Sequence, residues 1–525
     1  MPELLHFPPL TETIRSKKLR DMVKFFGPGA VMASLTIGTG ETFFASRGGA
    51  VFGYAILWTF ALGSVMKGIA SYSAMRYFTL TGEHPLDRWA HFPGPRGWFP
   101  LFMGLLSIAC FPFWLAFVPS TLGTLMNWMF GFGDPVVWGT FFSFAVIALV
   151  FTRGYEFLEK TQLSILGLLV LSILFSVFYF KPDWLAVLKG MLIPSVSDYE
   201  PWVREHYPAV AARPVWVEIT VYIAAIGGGT YDSIGYVGLL REKKWGMLAH
   251  PRLPEVQKRI QEHAAKGSPL PISDTSSNVR TGLSWLKAPA IDVIISYSAL
   301  ILFAAGFMIG GARILHPERL IPDGVRLLEY QARFLVDIKP WLLPIYNAGV
   351  FLAVFGTLYG AYAVYPRTAY ECLRTVLPGF RRASFSRVKF WITIYGASGG
   401  LFLMWLPKLC SGIEIIDLPT PAGIVGGVLT LGLWCLAMIW TERRFLPEPL
   451  RMRPVLVILT LISGLAMIFL GLKGWWDYGA DRFGVFGAWK GYAFLLFMII
   501  FSMSTAFALQ RLSKRKIGGQ DHGQG

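Results

Sequence analysis

Charge, histidine and cysteine are all scarce in this chain, and each scarcity closes off a class of function. Only 15% of the 525 residues are charged and 54% are hydrophobic, with a mean hydropathy of +0.50, whereas soluble domains carry about 25% charged residues. Such a composition describes a polytopic membrane protein. All eight histidines fall in loops or termini, so the apolar segments offer no imidazole for metal ligation or proton relay, and H-E-x-x-H is absent. That speaks against a membrane enzyme, and no cofactor is expected. The four cysteines, Cys110, Cys372, Cys410 and Cys435, lie far apart without a C-x-x-C pair, which argues against both a disulfide framework and a thiolate metal site. They read as small apolar fillers. The net charge of +16 is spread over basic residues that recur between apolar stretches rather than gathered on one face, so nucleic acid is not an expected partner. The N-terminal MPELLHFPPLTETIRSKKLRDMVKFF lacks the apolar core of a signal peptide and is expected to stay in the cytoplasm.

What is present is a series of apolar runs. Read as spanning helices they predict an all-α integral membrane protein with about twelve segments, centred near residues 38, 62, 110, 143, 168, 228, 301, 352, 396, 430, 462 and 500. With the N-terminus inside, roughly 32 Lys and Arg fall on the internal side and roughly 14 on the external side, as the positive-inside rule requires. Both termini are therefore expected in the cytoplasm of a bacterial-type inner or plasma membrane. The basic stretches after segments six and eight read as solvated loops carrying orientation charge, with anionic lipid or a partner as the alternative. Two external loops, 181–215 and 313–340, mix Pro, Trp and charge and are expected to hold short interfacial helices.

Carboxylates are nearly absent from the interior. Asp134, Glu156, Glu159, Glu218, Asp292 and Asp337 map near segment ends, where water is close. Glu41 in segment one and Asp232 in segment six do not. An ionised acid at mid-bilayer costs at least about 2.5–3.5 kcal/mol, so both are functional candidates. The alternative is a structural acid, protonated or paired with a basic residue such as Lys67 of segment two.

The flanking residues favour function. Segment one reads Gly38-Thr39-Gly40-Glu41-Thr42, and segment six reads Gly227-Gly228-Gly229-Thr230-Tyr231-Asp232. Each glycine costs a helix about 1 kcal/mol relative to alanine, and unwound backbone survives in a bilayer only where it is buried in protein or lines a cavity. Close helix packing is the other use of such glycines. Two interrupted helices five segments apart, each with a midplane acid, are the pattern of a repeat-built secondary transporter that binds its cargo near the midplane.

On the stretch GPGAVMASLTIGTGETFFASRGGAVFGYAILW, the TGEHPLDRW turn, GYEFLEKTQ and KPDWLAVLKGMLIPS, the chain resembles the Nramp family of divalent-metal transporters, within the superfamily sharing the LeuT-type five-plus-five inverted repeat. The resemblance implies that helices 1 and 6 are broken. It covers most of the first ten segments, the last four of them by hydropathy and length. The departures fall on the metal motifs. Where the family has Asp-Pro-Gly-Asn, this chain has Gly38, Thr39, Gly40 and Glu41; where it has Met-Pro-His, Tyr231, Asp232 and Ser233 stand. The architecture carries over and the metal ligands do not.

Two readings of the cargo remain open. In the first, Glu41 and Asp232 join freed carbonyls around Gly38 and Ile226 and the hydroxyls of Thr39 and Thr230 in an all-oxygen site for a hard divalent cation such as Mg2+, Mn2+ or Ca2+. Gly40, Gly228 and Tyr231 complete that candidate site. In the second, IGTGETFF resembles the Ile-Gly-Ser-Gly-Ile-Phe pattern of amino-acid permeases, whose exposed amides bind the carboxylate of a small organic substrate; Tyr231, Phe43 and Phe44 would then line the pocket. Coupling to H+ follows the family, and Na+ held by Thr357 and Tyr359 is the alternative. The expected organisation is a cytoplasmic segment 1–26, a first repeat 27–180, an external loop 181–215, a second repeat 216–445 containing the cytoplasmic loop 241–287, two further helices over 452–511 and a tail 512–525.

Overall fold

The computed structural model describes residues 4–16, 18–152, 160, 164, 167, 171–172, 174–322, 326–377, 380, 383–409 and 418–521. Among them seven helices are long and apolar enough to cross a membrane: Trp98–Phe130, Pro135–Thr152, Ser276–Leu315, Pro340–Val376, Phe385–Leu409, Thr420–Phe445 and Pro454–Arg511. The difference from about twelve has identifiable causes. Segments one and six are subdivided into pieces too short to count. Segment two forms a single helix, Leu57–Thr81, but carries Lys67 and Arg76. The last helix, Pro454–Asp521, merges two apolar runs across a kink at Gly484 (φ 70°, ψ −178°). Segment five lies largely outside the described residues, as do Glu156, Glu159 and Cys410.

Segment one starts at Pro28, a proline in the first helical turn, where its missing N–H costs nothing. Its entry is fixed by segment seven: Asp292 Oδ1 accepts the N–H groups of Gly27 and Gly29 at 3.0 and 3.1 Å, and Oδ2 accepts the Tyr236 hydroxyl at 2.8 Å. The sequence placed Asp292 and Glu218 near water. Both are buried instead, and each is met there by neighbouring donors. Glu218 Oε1 receives Arg47 at 3.4 Å and Arg213 at 3.3 Å, which ties the second half of segment one to the first half of segment six.

The interruption of segment one is a run of π-helical turns, Ile37–Phe44, between the α-helices Pro28–Thr36 and Ala45–Phe52. Wide turns of this kind are rare and cluster at functional sites. Its glycines serve close approach. A methyl at Gly38 would stand 2.2 Å from the Ala353 carbonyl oxygen of segment eight, and one at Gly40 would stand 2.5 Å from that of Ala225 in segment six.

Around this pair, segment three packs along segments four, eight and nine, segment two along seven, and the second half of segment six along eight. Large apolar side chains of segments four, nine, eleven and twelve, such as Phe144, Trp391, Phe469 and Phe497, stay exposed, the surface a lipid-facing helix presents. The loop after segment six holds two helices, Leu253–Lys266 and Ser276–Trp285. The loops 181–215 and 313–340 contain the short helices Trp184–Leu192, Pro201–His206, Pro208–Ala211 and Arg326–Val336.

The ends of segments two, six and eight meet in an ion-pair layer: Arg374 with Asp87 at 2.6 Å, Arg241 with Glu371 at 3.0 Å, and Arg88 with Glu83 at 2.5 Å. His84, in the turn after segment two, is wholly buried there, and burial pushes its imidazole down to about 4. It is a neutral structural residue: its Nδ1 accepts the Leu86 N–H at 3.2 Å.

Gly38→Ala is expected to destabilise the protein by about 1–3 kcal/mol through overpacking against segment eight. Thermal unfolding in detergent reads this directly. An unchanged midpoint means that the helices do not need this contact.

Candidate cation site at the segment-six break

Segment six consists of two helices, Val215–Ala225 and Thr230–Lys243. Between them Gly227 and Gly228 adopt φ of +66° and +67°, left-handed values that glycine takes without the steric cost of a Cβ. The break strands the last carbonyls of one half and the first N–H groups of the other, and the membrane interior has no water to satisfy them.

Side chains do so. Asp232, in the first turn of the second half, accepts the Gly229 N–H on Oδ2 at 2.7 Å. Glu41 reaches across from the π turns of segment one and accepts the Gly227 N–H on Oε1 at 3.2 Å. From segment two, Lys67 Nζ donates to the Ala224 carbonyl at 2.8 Å and to the Gly228 carbonyl at 2.5 Å. Both acids and the lysine are buried. The ammonium's hydrogen bonds go to carbonyls rather than to an acid, although both carboxylates lie within its electrostatic reach. Glu41 Oε2 and Asp232 Oδ1 have no hydrogen-bond partner.

A cavity of about 20 Å³ adjoins the break, lined among others by Thr36, Gly40, Trp114, Gly228, Asp232 and Tyr365. That is room for a water or a dehydrated ion, since one water needs at least about 10–15 Å³. Among the described residues no group of three His, Cys, Asp or Glu gathers anywhere. A metal here would therefore rest on oxygen ligands led by the two carboxylates, a hard-ligand set.

The expected site residues divide into three groups. Gly40, Gly228, Tyr231 and Asp232 line the cavity, and Glu41 meets the break at Gly227. The Gly38 N–H donates to Thr357 Oγ1 at 3.0 Å, and that hydroxyl donates to the Ser34 carbonyl at 2.9 Å. The same pair of bonds ties Thr357 to the backbone of segment one. Thr230 turns to segment ten, where its hydroxyl meets that of Thr430 at 2.8 Å. Ile226 packs its side chain toward Gly63 of segment two, and the Thr39 side chain lies outside what the structure describes.

Sequence reasoning missed Trp114, Tyr365 and Met32. Tyr231 sits 6.3 Å from Trp114 and edge-on to Tyr365 at 6.1 Å, measured between ring centres. The Met32 methyl lies against Gly228, 2.7 Å from where a Cβ would stand, so an apolar thioether side chain borders the expected all-oxygen site. No spacing in the sequence singles these residues out, because each comes from a different segment or turn of the bundle.

The family model described as natural resistance-associated macrophage protein-like matches residues 29–228, from the start of segment one to the segment-six break. The chain is 26% identical over 181 residues to the divalent metal cation transporter MntH of Bacillus subtilis, covering 34% of this chain and 41% of that protein. It is 25% identical over 184 residues to MntH of Brucella suis, covering 33% and 38%. The chain thus aligns with about two fifths of the length of these relatives. A crystal structure of the Eremococcus coleocola manganese transporter superposes with a TM-score of 0.62 at 12% identity, covering 97% of both chains. That likeness shows the fold alone, an all-helical architecture shared with that structure.

Thr357→Val removes the hydroxyl that accepts the Gly38 N–H. We expect a loss of about 1–3 kcal/mol, visible as a lower unfolding midpoint. Unchanged stability means the hydroxyl does not hold segment one to segment eight.

Proposed function

We propose that the protein is a secondary transporter of a hard divalent cation, such as Mg2+ or Mn2+, working by alternating access. The observation that carries the reading is that two buried carboxylates, Glu41 and Asp232, both reach the opened backbone of the segment-six break; the Nramp-like match takes in Glu41 and ends at Gly228, just before Asp232. The relatives MntH are divalent metal cation transporters by name, which supports the same cargo class.

The geometry suits the task in three ways. Glu41 and Asp232 each keep one oxygen without a partner, and an unpaired buried acceptor is costly until a cation or a proton reaches it. The left-handed glycines let the two halves of segment six tilt independently, while Arg47–Glu218 couples the outer half to segment one. The cavity admits an ion and excludes an amino acid, which disfavours the organic-substrate reading in this conformation.

Because the same orphan oxygens accept a proton as readily as a cation, proton coupling fits the site, and the commitment of Thr357 to Gly38 weighs against sodium there. The basic loops after segments six and eight support cytoplasmic termini. The division into repeats 27–180 and 216–445, followed by two further helices, belongs to the same proposal.

Purified protein in proteoliposomes is expected to take up Mn2+ or Mg2+, faster with an inward proton gradient. Glu41→Gln and Asp232→Asn are each expected to reduce uptake to the level of empty vesicles while the protein still inserts and elutes as a folded species. Uptake of a zwitterion but no divalent ion by the wild type contradicts the proposal, and so does full activity in either variant.

A further inference from the structure

Lys67 lies near the middle of the helix Leu57–Thr81 and is wholly buried, where a charged side chain is expensive enough to demand a function. Its two hydrogen bonds define what it does. The Ala224 carbonyl would accept the Gly228 N–H in a continuous helix, and the break frees it. The Gly228 carbonyl is freed by the same turn of chain. The ammonium sits 2.8 and 2.5 Å from these two oxygens, with Glu41 and Asp232 as the acids it feels electrostatically. Backbone carbonyls converging on a positive charge beside carboxylates are how proteins hold a hard cation. Here the positive charge is covalently attached to the protein.

We propose that Lys67 is a tethered cation: its ammonium fills the carbonyl pair of the cargo site, so that a transported ion uses only the acid oxygens left unpaired. This rests on the reading of the break as the cargo site. Charge arithmetic gives the consequence. With both acids ionised, as they must be to hold a metal, and the lysine as its ammonium, the cluster carries −1, so a divalent ion takes it to +1, whereas without the lysine the same ion would bring it to zero. Lys67 therefore weakens the hold on a divalent ion and hastens its release, which makes it a specificity-determining residue. An arginine in place of a lysine is not equivalent, because a compact ammonium mimics a point cation and a planar guanidinium does not.

The test uses full-length wild type, Lys67→Gln, which keeps donors for the carbonyls but loses the charge, and Lys67→Met, which loses both. Melting temperatures in detergent are followed as Mn2+, Mg2+ and methylammonium are titrated, since a ligand that binds only the folded state makes Tm concentration-dependent. Both variants are expected to melt below wild type without added cation and to be raised by cations at concentrations at least about tenfold lower than any that move wild type. In uptake assays Lys67→Gln should lower KM and also lower turnover, a split that a purely structural residue does not produce. A Lys67→Gln protein whose Tm and kinetics match wild type overturns the proposal, as do variants whose Tm no cation moves. If Lys67→Met fails to fold, Lys67→Gln decides. Methylammonium rescue reads the tethered charge alone, so it separates failure of this inference from failure of wild-type uptake, which would refute the cargo assignment instead.

Discussion

A helix broken inside a membrane must find partners for its backbone without help from water, and that requirement organises the centre of this protein. At the segment-six break three charged side chains from three different segments supply the partners. Each could have been a neutral group, since the hydrogen bonds alone ask for no charge. Placing two acids and a lysine there gives the same residues a second capacity: they stabilise the opened backbone and they set the electrostatic field in which an ion would bind. Stability and function are thereby coupled, because whatever changes the charge at the site also changes how well the break is satisfied.

The surroundings keep this centre bounded. On one side Arg47, Glu218 and Arg213 join the second half of segment one to the first half of segment six. On the other, Asp87, Arg374, Arg241 and Glu371 tie segments two, six and eight. Breaking a buried pair by removing one partner costs about 3–5 kcal/mol, so neither layer opens without compensation. In the proposed transport cycle one layer would exchange for the other, with the left-handed glycines absorbing the change in angle between the halves of segment six. Segment one contributes differently. Its π turns carry Glu41 toward the break while Gly38 and Gly40 let the backbone touch segments eight and six, so the helix bends its hydrogen-bond pattern without opening it.

Much of this was legible in the sequence because membranes constrain sequences severely. Apolar length and loop charge disclosed an all-helical membrane protein, and a triple glycine beside a lone acid marked the segment-six break. Glu41 and Asp232 stood out because in the sequence they fall inside apolar runs, whereas the other acids map near segment ends. Other features were not legible for a physical reason. Asp292 and Glu218 lie near helix ends, and only packing reveals that neighbouring donors bury them. Segment one offers the same glycine-rich signature as segment six, yet it takes wide helical turns in place of an extended break; its glycines are spaced by a threonine and occupied by close contacts, whereas three in succession permit two left-handed residues. Lys67 was visible as a possible partner of the acids, but that it prefers carbonyls to carboxylates is a matter of three-dimensional placement. Met32, Trp114 and Tyr365 reach the site from separate helices, and no periodicity connects them.

The most direct test of the central claim is to locate a transported ion in the protein itself. A structure determined with Mn2+, using its anomalous scattering to fix the metal position, is expected to show one ion beside the segment-six break, within coordination distance of Asp232 and Glu41. An ion bound elsewhere with the break unchanged, or no ion at saturating Mn2+, would contradict the account.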